Sequence, residues 1–237
     1  MTHRPAHAFS LAAAIWFTAA CAPGQFTTVT IYDTPAAFVR LELDRTLETG
    51  QAHSHPLSLT PVQIAAVLAG VMIEEPLAKL PFYDDTSQPR RHRAFTEQEV
   101  TFFAPLLAGA LAQAMPEEIV TFYESRDVSG TVREVTSGGM FVQGEILRLR
   151  LANYRSHTHQ SADIGVADTQ DDRLTPLRSF APQRGRLHFE PRSSMAPDQD
   201  RGLTGMFSWG QREVAVLYRS VPPLQATPAQ PHPVIRP

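Results

Sequence analysis

The hydrophobic pattern of this chain changes period twice, from two to about 3.6 and back to two, and that order limits the folds open to it. Residues 26–32 are rich in β-branched and aromatic side chains and read as a strand, broken by Asp33, Thr34 and Pro35. Residues 38–44 then alternate, with Val39, Leu41 and Leu43 on one face and Arg40, Glu42 and Asp44 on the other, the pattern of a half-buried antiparallel strand. After a loop over 50–56, Thr60, Pro61 and Gln63 open a helix: threonine as N-cap, proline at the first helical position, glutamine closing a capping box. Ile64, Val67, Leu68, Val71 and Met72 recur at helical spacing and predict one buried stripe, ended by Pro76 and Pro81. Residues 81–93 read as a polar surface loop. A second capping box at Thr96 and Glu99 starts a helix that runs through Val100, Phe103, Leu107 and Leu111 to Met115, with Pro105 inside it and Pro116 after it.

From Ile119 the period returns to two. Segments 119–124, 131–136, 140–143 and 145–154 read as short strands, with Ser137, Gly138 and Gly139, and then Gly144, as turns. Residues 155–210 read as a long irregular loop containing one strand at 186–190, and 213–219 as a closing strand. Residues 221–237 form a proline-rich, extended or disordered tail. Strands, two helices and strands again predict an α+β domain over 26–220: an antiparallel sheet with two helices packed on one face, and a long irregular loop before the last strand.

The first 20 residues stand apart. Arg4, His3 and His7 precede an apolar run over 9–20 that ends in Ala19 and Ala20, and Cys21, the chain's single cysteine, follows at once. A weakly basic start, an apolar core and small residues before a cleavage point mark a secretory signal peptide. The run falls short of the roughly 20 apolar residues a membrane-spanning helix needs, because Pro23 and Gly24 end it. With cysteine directly after the small residues, the segment resembles the signal of a bacterial lipoprotein. That resemblance covers the first two dozen residues and implies that 1–20 are removed, that Cys21 carries a palmitate-containing lipid, and that 21–25 form the anchored N-terminus. It also implies an address: the cell envelope, facing the periplasm, with Ala22 after the cysteine favouring the outer membrane. Acylation further removes the unpaired thiol that one cysteine would otherwise carry into an oxidising compartment.

Composition narrows the partners. A formal net charge of −3 argues against nucleic acid as the main partner. Nearly all basic residues are arginine, Lys79 being the only lysine. The apolar content is enough for a core without disulfides.

Three groups of residues are candidates for chemistry. His157, His159 and Asp163, with Asp168, Asp171 and Asp172 further on, combine imidazole and carboxylate as zinc or copper sites do, and His53 with His55 is a second pair of the same kind. Arg40, Arg148, Arg150 and Arg219 would line the polar face of the sheet and bind an anionic envelope component, or else pair with Glu42, Asp44 and Glu145. Met206, Phe207 and Trp209 form an aromatic cluster, either a partner surface or a plug for the fold. No nucleophile elbow, phosphate loop, dinucleotide fingerprint or specific metal-ligand spacing occurs, so neither a catalytic residue nor a cofactor is expected. The reading is a lipid-anchored envelope protein, a non-enzymatic accessory or interaction module that meets an envelope protein or anionic component. A small-ligand or metal-binding protein is the first rival and a hydrolase the second.

Overall fold

A computed structural model describes residues 28–76, 87, 89–130, 132–159, 172–183, 185–197 and 212–224. The signal segment with Cys21, the ligand candidate Asp163 with Asp168 and Asp171, the aromatic cluster at 206–209 and the tail from 225 lie outside the described residues. The architecture is α+β. Nine strands are described: β1 (Val29–Asp33), β2 (Ala37–Leu43), β3 (Val71–Glu74), β4 (Arg91–Arg93), β5 (Glu118–Ser129), β6 (Val132–Gln143), β7 (Ile146–His159), β8 (Arg186–Phe189) and β9 (Glu213–Leu217), with helices α1 (Pro61–Gly70) and α2 (Glu97–Leu111). The main sheet has the order β1-β2-β5-β6-β7-β9, and a smaller one has the order β4-β3-β8. All described pairings are antiparallel.

Both capping boxes form as the sequence predicts, each closed by two hydrogen bonds. The helices pack on one face of the main sheet. Val39 and Leu41 of β2, Phe122 of β5 and Leu147, Leu149 and Leu151 of β7 join Phe103, Leu107 and Leu111 of α2 in one core. Phe103 and Phe122 meet with ring centroids 5.6 Å apart, within the range in which aromatic pairs add to burial.

Four expectations are corrected. Val71 and Met72 do not continue the α1 stripe: the helix stops at Gly70 and the chain passes straight into β3. A Cβ on Gly70 would lie 2.5 Å from the Phe189 ring and 2.6 Å from the Glu190 carbonyl, so glycine lets β8 come this close. Residues 91–93 are not loop but β4, whose edge pairing with β3 needs no apolar alternation to hold it. Residues 137–139 are not a turn. β6 runs through them, and Gly138 and Gly139 serve close packing instead: added Cβ atoms would meet the Arg150 carbonyl oxygen at 2.0 Å and Leu177 at 2.9 Å. The reversals fall at Gly130 and Gly144, which have φ of +50° and +60°. The second helix also ends earlier than expected, at Leu111, leaving Met115 exposed.

Candidate functional site

The sheet face turned away from the helices is not simply solvated. Residues 172–183 cross it as a strap, tied down at several points. Ser137 Oγ donates to the Pro176 carbonyl at 2.7 Å, Asn153 Nδ2 donates to the Arg178 carbonyl at 2.8 Å, and the Phe180 N–H donates to Asn153 Oδ1 at 3.2 Å. At one end of the strap a small second core forms from Phe38, Tyr123 and Val135, with the two rings stacked 5.2 Å apart and Arg40 3.9 Å above Phe38. Asp172 closes this end. Arg133 Nη2 donates to both its oxygens at 2.8 and 2.9 Å, and the Tyr123 hydroxyl donates to one of them at 3.2 Å. Burial pushes the Tyr123 phenol up to about 12, so it remains a donor at neutral pH.

At the other end the strap, β7 and Arg212 just before β9 line an open pocket of about 370 Å³, near the lower end of the roughly 300–1,000 Å³ range of small-molecule sites. Its wall is apolar along Leu151, Ala152, Leu177, Ala181 and Pro182. Its polar groups are Arg150, Ser179, Gln183 and Arg212. Gln183 fastens the strap here: its amide oxygen accepts from the Tyr154 N–H at 3.2 Å and from Arg212 at 3.0 Å, and its amide nitrogen donates to Ser156. Arg212 is half-buried and donates through Nε to the Leu151 carbonyl at 2.9 Å. Burial pushes its guanidinium down to about 10.

The four arginines singled out from sequence divide into separate places. Arg148 and Arg150 lie together and share one carboxylate, Glu213, at 2.8 and 2.9 Å. Arg40 is three strands away from β7 in the sheet order, about 14 Å at one strand spacing each, and pairs with Asp33 at 2.6 Å. Arg219 sits beyond β9 and reaches Glu145 at 3.3 Å, both side chains being exposed. His157 is exposed on β7 with its Nε2 4.0 Å from Glu134, and His159 ends the same strand. Among the described residues no group of three or more histidine, cysteine and carboxylate side chains has metal-site geometry.

His53 and His55 are buried rather than loop-exposed. His53 Nε2 lies 3.0 Å from Asp44 Oδ2, the side chains being 1 % and 7 % exposed. Burial raises the Asp44 carboxyl, but hydrogen bonds from Thr46 and contact with His53 outweigh it and hold the group below its ordinary value. His55 Nε2 accepts the Val142 N–H at 3.1 Å, and burial together with neighbouring His53 pushes its pKa down to about 4. This histidine–carboxylate pair shares no residue with the pocket wall and ties the 51–57 loop to the end of β2, while the backbone N–H groups of Ser54 and Leu57 tie it to Val142 of β6 and Leu111 of α2.

Two neighbouring carboxyls, buried Glu99 of α2 and half-buried Glu124 of β5, face each other. Glu99 closes the α2 capping box, accepting the Thr96 N–H at 2.6 Å, and its charge acts on nearby Glu124. Burial and the Glu99 charge push Glu124 up to about 7. A folded-state pKa above the ordinary 4.5 contributes stability that is present below pH 4.5 and lost as pH rises through about 7. His55 acts in the opposite sense, since its stability is lost as pH falls from 6.5 through about 4. Glu124→Gln fixes the neutral form. It is expected to stabilise the protein at pH 8 by about 1 kcal/mol, the full shift being discounted because solvent screens a partly exposed carboxyl. At pH 5 it should change stability little. Urea unfolding at the two pH values measures this, and equal effects at both would exclude a raised Glu124 carboxyl.

The pocket residues Leu177, Ser179, Gln183 and Arg212 are not among the sequence candidates. They lie in and beside an irregular segment, where no periodicity marks them. One signal was present: Arg212 immediately precedes the closing strand, and antiparallel pairing of that strand with the Leu147–Leu149–Leu151 strand brings it beside Arg150. No protein-family model, curated protein or solved structure matches this chain.

Proposed function

We propose that the chain is a lipid-anchored protein of the bacterial envelope whose folded part is a binding module, with the pocket between strap and sheet as its working surface. The observation that carries the binding half is the pair of guanidiniums, Arg150 and Arg212, set against an apolar wall. Such a set orients and holds a ligand. The buried His53–Asp44 pair, the arrangement a hydrolase would need beside a cleft, belongs to the wall of the fold instead. That geometry favours binding over acid–base chemistry.

The anchoring half rests on the apolar run before Cys21. Each buried methylene of an acyl chain contributes about 0.8 kcal/mol, and two or more chains hold a protein stably where one does not. A diacylated Cys21 would therefore keep the module at the outer membrane, facing the periplasm, where an envelope protein or an anionic envelope component can reach it. Labelling cells with a palmitate analogue tests this half. The wild-type chain is expected to take up label and Cys21→Ala to lose it, whereas equal labelling of the two would end the lipoprotein reading.

A further inference from the structure

The pocket holds more positive charge than its surroundings answer. Arg150 and Arg212 line it, and the nearby Glu213 carboxylate is taken by Arg148 and Arg150. Arg212 meets only neutral acceptors: the carbonyls of Leu151 and Ala152 at 2.9 and 3.4 Å, and the Gln183 amide oxygen at 3.0 Å. Among the described residues no carboxylate pairs with it. A half-buried cation so placed carries a desolvation cost that an anion would offset.

We propose that this pocket binds a small organic carboxylate, its charged end held between Arg150 and Arg212 and its apolar body against Leu177, Ala181 and Pro182. The proposal rests on the reading of the pocket as the module's working surface. The choice of a carboxylate comes from counting donors. Arg212 commits Nε and both Nη2 hydrogens to protein acceptors, and Arg150 commits Nε and Nη2 to Glu213. Arg212 then keeps its Nη1 group, and Arg150 its Nη1 group and one Nη2 hydrogen, five N–H bonds with no protein acceptor among the described residues, given five donors per guanidinium. A carboxylate has two oxygens and about four lone-pair sites, which these N–H bonds are enough to fill. The Ser179 hydroxyl already donates to the Ala181 carbonyl, and the Gln183 amide is taken up by Tyr154, Ser156 and Arg212. Inorganic phosphate presents oxygens on every side, so some would be desolvated against the apolar wall without a partner.

Titration calorimetry of the full chain in detergent, with four probes, tests this: 3-phenylpropionate, its neutral amide, acetate and inorganic phosphate. Saturable binding of phenylpropionate is expected, with the other three at least tenfold weaker. Arg212→Gln should weaken phenylpropionate at least tenfold. Because Arg212 also ties β9 to β7, Ala181→Phe serves as a second variant that fills the pocket and leaves both arginines in place; it should abolish binding too. Phosphate or the amide binding as well as the acid, and being lost in Ala181→Phe, would overturn the carboxylate while leaving the pocket a binding surface. No saturable binding by any of the four would overturn both.

Discussion

Gly138→Ala is expected to destabilise the protein by about 3 kcal/mol or more, the upper part of the range for overpacking a filled interior. The new Cβ would lie 2.0 Å from the Arg150 carbonyl oxygen and 2.9 Å from the Phe122 ring. The first contact is with backbone, so no side chain can turn away to relieve it. Relief requires β6 and β7 to part at the centre of the main sheet, where Gly138 pairs with Leu151. The adjoining residues Phe122, Leu149 and Leu151 are fully buried, so the displacement spreads into the core. For a chain of this size that cost corresponds to a fall in Tm of roughly 6–12 °C. Gly109→Ala is the control. It stands in α2 with nothing within 4 Å of its added Cβ, and should stabilise by about 0.5–1 kcal/mol through helix propensity. Thermal unfolding followed by circular dichroism compares the two. A Gly138 variant melting within a degree of wild type would mean that the strands do not approach as closely as described.

Gly138 also marks where sequence stops informing on the fold. Consecutive glycines between two short alternating runs look like a turn, because the commonest use of glycine outside regular structure is to reverse the chain. Here the reason is a close approach to Arg150 on the neighbouring strand, and local pattern carries no trace of that contact. The elements that were legible are those fixed by local chemistry: both capping boxes, the alternation of β2 and β7, and the stripe of α2. What was not legible depends on tertiary pairing. β4 has no apolar alternation and exists because β3 offers it an edge. The site was legible in the same partial way. Alternation assigns Arg148 and Arg150 to one face, but their joint use of Glu213 follows from the register of β7 and β9. Arg212 and the strap acquire meaning only when an irregular segment folds back over that face.

Asp172→Ala is expected to cost about 3 kcal/mol and to free the near end of the strap. Asp172 is nearly closed to solvent, with its side chain 6 % exposed, and it answers the Arg133 guanidinium and the Tyr123 hydroxyl together. Removing it leaves a largely buried cation and a fully buried phenol without their acceptor, and breaking a buried pair on one side costs about 3–5 kcal/mol. The lower end applies because Arg133 keeps 22 % exposure and can draw on water. Asp172→Asn retains an acceptor for Tyr123 and should lose less. Stability alone would not separate this from any other core defect, so the strap needs its own readout. Arg173 and Arg178 lie within it, and limited trypsin digestion should cut there faster in Asp172→Ala at a temperature where wild type and variant are both folded. The attachments at Ser137 and Asn153 remain, so the pocket end should loosen less than the Phe38 end. Ligand affinity would then fall modestly, through the shared segment, although Asp172 does not line the pocket. Unchanged cleavage at both arginines, with a stability loss under 1 kcal/mol, would show that Asp172 does not fasten the strap and that its other ties, Arg173 to Asp33 and Pro35 among them, hold that end.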